Sequence, residues 1–245
     1  MSRPEVKPYN TGASKKEEVA EMFNNISPKY DFLNHTLSMG IDRLWRRRAI
    51  RELKKYQPKD ILDLATGTAD FAIAAAAIKP KKIDGVDISS GMLEVGRQKI
   101  KAKGLEKLIT LRLADGESLP YSDGSFDAIT IAFGIRNYEH PDRGLREMYR
   151  ILREQGAVFI LEFSQPERFP VKQLYKFYFR NILPVIGKAI SSDKSAYSYL
   201  PESVAHFPYG AAFINMLESA GFINCRAIPL SAGIATLYIG EKKHA

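Results

Sequence analysis

Short apolar runs alternate with helical stretches from Ile61 onward, and this alternation most limits what the chain can fold into. Short apolar strands separated by helices are typical of a parallel sheet, because the crossover helices cover both of its faces. Two further runs near the carboxyl end are joined by the short segment 230–233 and predict a hairpin-like pair. We therefore predict an α/β fold with a doubly wound sheet, mostly parallel with one antiparallel strand. The predicted strands are 61–64, 83–87, 108–113, 126–133, 157–163, 222–229 and 234–239, and the predicted helices among them are 70–78, 89–102, 142–152 and 209–220.

The chain ahead of the first predicted strand is polar and then helical. Residues 1–13 predict a flexible tail, so residues 14–245 are expected to form a single domain. Ser14 and Glu17 have the spacing of a capping box. The segment 14–57 is therefore predicted to be an N-terminal helical cap. Its helical patterns cover 14–23, 28–38 and 42–56.

An aromatic-rich insertion, residues 168–200, follows the fifth predicted strand, and we expect it to cap the substrate. Its first half predicts a mostly apolar helix over 170–183. Lys172, Lys176 and Arg180 recur every four residues along this helix and form a narrow basic stripe. Such a pattern predicts a cap over a lipid-like substrate or a helix at an anionic membrane surface. A buried cap helix with three solvated cations is the alternative.

Charge and composition exclude several classes of protein. Lysine and arginine number 36 against 28 acidic residues, a net charge of +8, which indicates an anionic partner or serves solubility alone. The cations are dispersed, so we expect no nucleic-acid partner. Cys225 is the only cysteine and the histidines lack metal-ligand spacing, so neither an internal disulfide nor a metal site is expected. The sequence has neither 18 consecutive apolar residues nor a secretory h-region, which predicts a cytoplasmic protein, with peripheral membrane contact left open.

Acidic or small residues follow each of the first three predicted strands. Gly67 lies in the turn after the first, Asp87 ends the second, and Asp115 with Gly116 follows the third. Because the carboxyl ends of parallel strands meet at one edge of a sheet, these residues should line one crevice. A carboxylate in the position of Asp87 can accept hydrogen bonds from both hydroxyls of an adenosine ribose. The crevice is therefore predicted to bind a nucleoside, with its adenine edge at Asp115 and Gly116.

The turn after the first strand distinguishes between nucleoside cofactors. It lacks the G-x-G-x-x-G spacing of dinucleotide-binding proteins, and only Gly67 is in place. Asp63 and Asp70 flank it, and carboxylates favour a cationic ligand over a diphosphate. The sulfonium of S-adenosylmethionine is such a ligand.

Several motifs carry a family resemblance. LDLATGTAD, GVDISSGML and LADGESLPYSDGSFDAI resemble class I S-adenosylmethionine-dependent methyltransferases, whose sheet is Rossmann-like. YDFLNHTLSMGIDRLWRR, FGIRN, LEFSQP, YSYLPESVAHFP and the closing GFINC…GIATLYIG resemble, more narrowly, the ubiquinone/menaquinone biosynthesis methyltransferase family. This resemblance runs from about Glu18 to Lys243. It implies S-adenosylmethionine contacts at Thr68, Asp87, Asp115 and Gly116, with Asp63 and Gly67 shaping the turn.

The same resemblance implies methyl transfer to a ring carbon of a prenylated quinol, converting demethylmenaquinol to menaquinol or acting on the benzoquinol precursor of ubiquinone. A ring carbon is a poor nucleophile until the neighbouring hydroxyl ionises, and an unperturbed phenol titrates near ~10. A guanidinium cannot act as a base at ordinary pH, but it can stabilise a developing oxyanion. Arg136 is therefore our candidate for stabilising the phenolate. Asn137 would orient the second oxygen, and water, Asp115, Glu162 and His140 remain open as proton acceptors. The predicted substrate contacts are Tyr30, Phe133, Glu162 and Tyr199.

Other functions stay open at this point. Arg136 has an alternative role, in which it pairs with Asp115 or Glu162 and only holds its loop. An RNA or DNA methyltransferase would suit the basic charge, but FGIRN stands where base-nitrogen enzymes carry an N-P-P-Y-like turn. A nicotinamide oxidoreductase would need a fuller glycine pattern, and a nucleoside-binding module would leave Arg136 and the aromatic insertion without a purpose. The sequence does not distinguish a naphthoquinol from a benzoquinol, nor does it fix the oligomeric state.

Overall fold

The computed structural model describes residues 6–38, 40–178, 181 and 195–244. Seven strands of this part form one sheet in the order β3-β2-β1-β4-β5-β7-β6. Strands β1 to β5 pair in parallel, whereas β7 runs antiparallel to both of its neighbours. The predicted doubly wound sheet with one antiparallel strand is thus confirmed. The strands are β1 Asp60–Leu64, β2 Lys82–Asp87, β3 Ile109–Leu113, β4 Phe126–Ala132, β5 Leu152–Phe163, β6 Ile223–Leu230 and β7 Ala235–Glu241.

Helices cover both faces of the sheet, because alternate residues of each buried strand point to opposite sides. On one face, Leu62 packs in a cluster with Leu145 and Phe213. On the other face, Ile61 packs with Trp45 and with alanine-rich helix surface. The helices are α1 Lys15–Ile26, α2 Tyr30–Leu37, α3 Ile41–Leu53, α4 Asp70–Ala75, α5 Ser90–Ala102, α6 Pro141–Ile151, α7 Val171–Phe177, α8 Ser195–His206 and α9 Ala211–Ser219.

The described part of the N-terminal segment, residues 6–13, contacts helix α1. The backbone N–H groups of Tyr9, Asn10 and Thr11 all donate to the buried carboxylate of Glu18 in α1. These donors hold the pKa of Glu18 at about 2, against the opposing effect of burial. Local sequence patterns give no sign of this contact, because a single carboxylate from another segment accepts all three N–H groups. The predicted capping box of Ser14 with Glu17 is confirmed.

Strand β5 begins earlier than predicted. It starts at Leu152, directly after α6, rather than at Ala157. Phe126 pairs with Leu152 while Ala128 pairs with Ala157, so β5 carries extra residues that bulge out of the ladder. Gln155 takes a left-handed φ of 62° within the bulge. An irregular, polar stretch of this kind has no alternating pattern that would mark it as strand.

The insertion after β5 is described only in part. Helix α7 covers Val171–Phe177, the first part of the predicted helix over 170–183, and Arg180 lies outside the described residues. Lys172 and Lys176 of the predicted basic stripe are both exposed on α7. Among the helices that the structure describes, none is long and apolar enough to cross a membrane.

Candidate active site

A cleft of about 650 Å³, open to solvent, lies beyond the carboxyl ends of β1, β2, β3 and β4. Helices α1 and α2 form one wall through Val19, Phe23 and Tyr30. The opposite wall consists of the segments that follow the four strands. It includes Gly67, Asp87, Asp115, Gly116, Phe133 and Asn137.

The turn after β1 has a left-handed backbone at every second residue. Ala65, Gly67 and Ala69 have φ values of 45°, 55° and 65°. Asp63 holds the turn from the sheet side, since its carboxylate accepts hydrogen bonds of 2.6 Å from the hydroxyls of Thr66 and Thr130. Burial raises the pKa of Asp63 to about 6, although both threonine hydroxyls oppose the shift. Asp63 thus acts on the shape of the turn and does not line the cleft.

Asp87 ends β2 and lies in the wall of the cleft. Its Oδ2 accepts the Gly67 N–H and its Oδ1 accepts the Ser89 N–H, both at 2.8 Å. Burial raises the pKa of Asp87, and these two N–H donors oppose the shift. A carboxylate offers about four lone-pair positions, so Asp87 can accept from further donors. It is suited to a vicinal diol.

Asp115 lies at the mouth of the cleft next to Gly116. Its Oδ1 accepts the Glu117 N–H at 2.9 Å, and its Oδ2 is 3.1 Å from Lys16 Nζ. This hydrogen bond with Asp115 raises the pKa of Lys16. Gly116 packs directly against the ring of Tyr138. The structure therefore brings four of the six predicted cofactor residues together, namely Gly67, Asp87, Asp115 and Gly116.

Thr68 is not brought to the cleft, although the sequence predicts it as a cofactor contact. Its hydroxyl donates to Asp31 Oδ1 at 2.5 Å and lies 3.1 Å from Lys99 Nζ. Lys99 also pairs with Asp31 at 2.6 Å and with Asp70 at 2.5 Å. This network connects α2 to the turn after β1 and to α5. Sequence reasoning missed it because its members are far apart in the chain.

Arg136 and Glu162 form a buried ion pair. Arg136 Nη1 is 3.0 Å from Glu162 Oε1, and the two side chains are only 7% and 1% exposed. Arg136 also donates to the Phe133 carbonyl, and its guanidinium lies 5.4 Å from the centre of the Phe163 ring. Its Nε is buried with no hydrogen-bond partner among the described residues. Burial raises the pKa of Glu162, while Arg136 counteracts the shift.

Asn137 follows Arg136 and lines the cleft itself. The Tyr199 hydroxyl donates to Asn137 Oδ1 at 3.1 Å. Tyr199 is buried in α8, in a cluster with Val19 and Met22 of α1. The structure therefore brings Tyr199 to the site through Asn137, rather than to the surface of the cleft.

An aromatic group borders the cleft beside the ion pair. Phe133 stacks on Phe163 with ring centres 4.5 Å apart and contacts Trp45 at 5.9 Å. Burial raises the pKa of Tyr30, with Arg136 and Arg46 acting in the opposite direction. Neither Trp45 nor Arg46 is among the site residues predicted from the sequence, and the Arg46 guanidinium lies 5.9 Å from the centre of the Phe133 ring. The periodicity of α3 gives no signal that its inner face reaches the site.

The sheet order, the carboxylate at the end of β2 and the cleft beyond the strand ends fit the fold of class I S-adenosylmethionine-dependent methyltransferases. Solved structures share this fold. A putative S-adenosylmethionine-dependent methyltransferase from Methanococcus maripaludis matches with a TM-score of 0.61 at 19% identity, over 100% of this chain and 98% of its own. A possible histamine N-methyltransferase from Thermotoga maritima matches with a TM-score of 0.64 at 21% identity, over 91% and 99%.

The chain belongs to the ubiE/COQ5 methyltransferase family, whose model matches residues 11–242. It is similar to the demethylmenaquinone methyltransferase of Bacteroides fragilis, with 49% identity over 97% of both chains. The enzyme of the same name from Porphyromonas gingivalis is 44% identical, over 99% of this chain and 100% of its own. The ubiquinone/menaquinone biosynthesis C-methyltransferase of Geotalea uraniireducens is 47% identical, over 93% and 97%. The protein is therefore an enzyme that transfers a methyl group from S-adenosylmethionine.

Proposed function

We propose that this enzyme methylates a ring carbon of a prenylated quinol, with demethylmenaquinol as the substrate and menaquinol as the product. The names of the similar proteins from Bacteroides fragilis and Porphyromonas gingivalis support this substrate. The observation that carries the proposal is the Arg136–Glu162 pair, which presents a buried cation beside aromatic rings next to the cofactor cleft. A flat, ionisable aromatic ring is the kind of substrate that such surroundings suit.

The residues of the cleft fit the cofactor. Asp87 retains lone pairs after accepting from Gly67 and Ser89, and these would accept from the two ribose hydroxyls. Asp115 and the backbone of Gly116 would face the adenine edge. Three carboxylates, Asp87, Asp115 and Glu117, line the cleft and favour a ligand that carries positive charge.

When bound, S-adenosylmethionine supplies an electrophilic methyl group: the ring carbon bonds to the methyl carbon, the methyl–sulfur bond breaks with its electron pair going to sulfur, and the substituted ring carbon loses its proton. The hydroxyl proton that leaves first is regained afterwards, so one proton is released per turnover.

Arg136 would stabilise the phenolate form of the substrate. Its Nη1 is committed to Glu162 and Phe133, but its Nε has no partner among the described residues and is available as a donor. The aromatic rings of Phe133, Phe163 and Trp45 would accelerate methyl transfer in a second way, by keeping the surroundings apolar. Opposite charges vanish as the methyl group moves, and an apolar setting favours such a step once the ions are held in place.

Methylation of a reduced quinol in vitro tests the proposal. The purified enzyme with S-adenosylmethionine is expected to convert demethylmenaquinol to a product heavier by one methylene, as detected by mass spectrometry. The matched benzoquinol precursor of ubiquinone, assayed in parallel, measures the preference between the two rings. Methylation of bulk RNA, together with no product from either quinol, would reject the proposal.

We also propose that α7 meets the membrane in which a prenylated substrate resides. Leu174 and Phe177 of α7 are 64% and 59% exposed, and Phe169 just ahead of the helix is 81% exposed. Lys172 and Lys176 are exposed on the same helix. Tyr175 on the same helix is more buried, and burial raises the pKa of its hydroxyl. Helix α7 therefore presents apolar and basic groups to solvent.

Replacing Lys172 and Lys176 with Gln is expected to weaken binding to anionic vesicles about 30-fold, since each cation near such a surface contributes about 1 kcal/mol. Co-sedimentation with phosphatidylglycerol vesicles measures the effect. Lys101→Gln with Lys103→Gln is the matched control, because this pair makes the same charge change at the far end of α5. If both double variants bind the vesicles as strongly as the wild type, Lys172 and Lys176 only face solvent and the membrane proposal is rejected.

A further inference from the structure

The hydroxyl of Tyr138 is a buried polar group that the residues assigned above do not use. Tyr138 directly follows the turn that carries Arg136 and Asn137, and it lines the cofactor cleft. Its Oη is shielded from solvent and has no hydrogen-bond partner within the described part of the chain. A buried hydroxyl without a partner destabilises a protein, so a group that is kept in this state calls for an explanation.

Two glycines make room for the Tyr138 ring. A Cβ at Gly116 would overlap the Tyr138 hydroxyl, and a Cβ at Gly144 would overlap the ring edge. Neither glycine has the left-handed φ that would itself require glycine. The glycine identity of both positions is therefore explained by the space that the ring occupies, and the ring is held in a slot between the β3–β4 connection and α6.

The slot places the hydroxyl against Gly116, and Tyr138 lines the cleft together with Asp87, Asp115 and Glu117. The charges of Asp87, Asp115 and Glu117 act on the Tyr138 hydroxyl, and together with burial they raise its pKa. The hydroxyl therefore keeps its proton and can donate it in a hydrogen bond. Asp87 and Asp115 accept from other groups, namely the N–H groups of Gly67, Ser89 and Glu117 and the ammonium of Lys16.

We propose that Tyr138 Oη binds the cofactor, through a hydrogen bond to the adenosine part of S-adenosylmethionine. A ligand in the cleft would supply the partner that the protein does not, and the adenosine part would lie beside Asp87, Asp115 and Gly116. This inference deepens the proposed function and rests on its cofactor, but it is independent of the identity of the methyl acceptor.

Tyr138→Phe removes the hydroxyl and keeps the ring in its slot. The variant is expected to bind S-adenosylhomocysteine about 5- to 30-fold more weakly, a loss of about 1–2 kcal/mol, in isothermal titration calorimetry. Adenosine alone should lose affinity by a similar factor. The ligand-free variant should melt at or above the temperature of the wild type, because it no longer buries an unpaired hydroxyl. Tyr121→Phe is the matched control, since the Tyr121 hydroxyl is also buried but Tyr121 does not line the cleft.

The outcomes separate this inference from the proposed function. Wild-type affinity in Tyr138→Phe would make the hydroxyl a spacer and overturn the inference. A loss for S-adenosylhomocysteine but not for adenosine would place the contact on the amino-acid part and overturn it as well. A weaker affinity with a lower melting temperature would indicate a displaced ring and would also reject it. Failure of the wild type to bind S-adenosylhomocysteine would instead contradict the cofactor of the proposed function.

Discussion

Turnover is expected to fall about 10²–10³-fold when Arg136 is replaced by Met, because the transition state loses a buried positive charge beside the substrate oxygen. The affinity for S-adenosylmethionine should barely change, since the lost interaction belongs to the transition state. Arg136→Lys keeps a charge but loses the planar fork and should retain part of the activity. Raising the pH should partly restore the rate of Arg136→Met, because the substrate phenol then ionises without help. Steady-state kinetics over a range of pH measures all of these effects.

The ion pair with Glu162 requires a second variant. Removing Arg136 alone leaves a buried carboxylate without its partner, which typically destabilises a protein by about 3–5 kcal/mol. Arg136→Met combined with Glu162→Gln removes both charges and should recover most of the lost stability in thermal denaturation. If Arg136 stabilises the phenolate, the double variant remains slow. Recovery of wild-type turnover together with stability would show that the pair only holds the loop after β4.

Asp87→Ala is expected to weaken the binding of S-adenosylmethionine by about 2–4 kcal/mol, or about 30- to 1,000-fold, through loss of charge-assisted hydrogen bonds to the ribose. Titration calorimetry on the folded variant measures this loss. Burial raises the pKa of Asp87. On acidification, the affinity of the wild type should therefore begin to fall at a higher pH than it would if Asp87 had the pKa of an ordinary aspartate. Asp87→Asn should remove that pH dependence.

The structure also dictates the control for Asp87. Its carboxylate accepts the N–H groups of Gly67 and Ser89, so Asp87→Ala disturbs the turn as well as the ribose contact. Asp87→Asn keeps one acceptor oxygen and should lose less affinity than Asp87→Ala. Wild-type affinity in a folded Asp87→Ala protein would remove the ribose assignment.

The sheet and the strand-end residues could be predicted from the sequence because both depend on local patterns. Asp87 and Asp115 follow apolar runs, and parallel strands bring their ends to one edge without further information. Thr68 could not be placed in the same way. The direction of its side chain depends on a left-handed residue on either side and on a carboxylate, Asp31, that is 37 positions earlier. No periodicity reports a pairing of that kind.

The ion pair was anticipated only as one of two alternatives, because a sequence does not tell which acidic residue a buried arginine reaches. Glu162 lies in β5, next to β4 in the sheet, and this neighbourhood selects it over Asp115. The slot for Tyr138 could not be predicted from the sequence either. Its glycines lie in two separate elements, and nothing in either local pattern connects them to an aromatic ring.

The left-handed backbone at Ala65 and Ala69 means that this turn cannot be recognised from the spacing of its glycines. An L-residue in that conformation costs about 1–2 kcal/mol, and most chains avoid the cost by using glycine. Here the turn keeps its shape without glycine at either position, because Asp63 anchors it from the sheet side and Asp87 from the cleft side. A search by glycine spacing would therefore pass over this cofactor site. In this chain, the pair of carboxylates at the ends of two neighbouring strands fixes the turn instead.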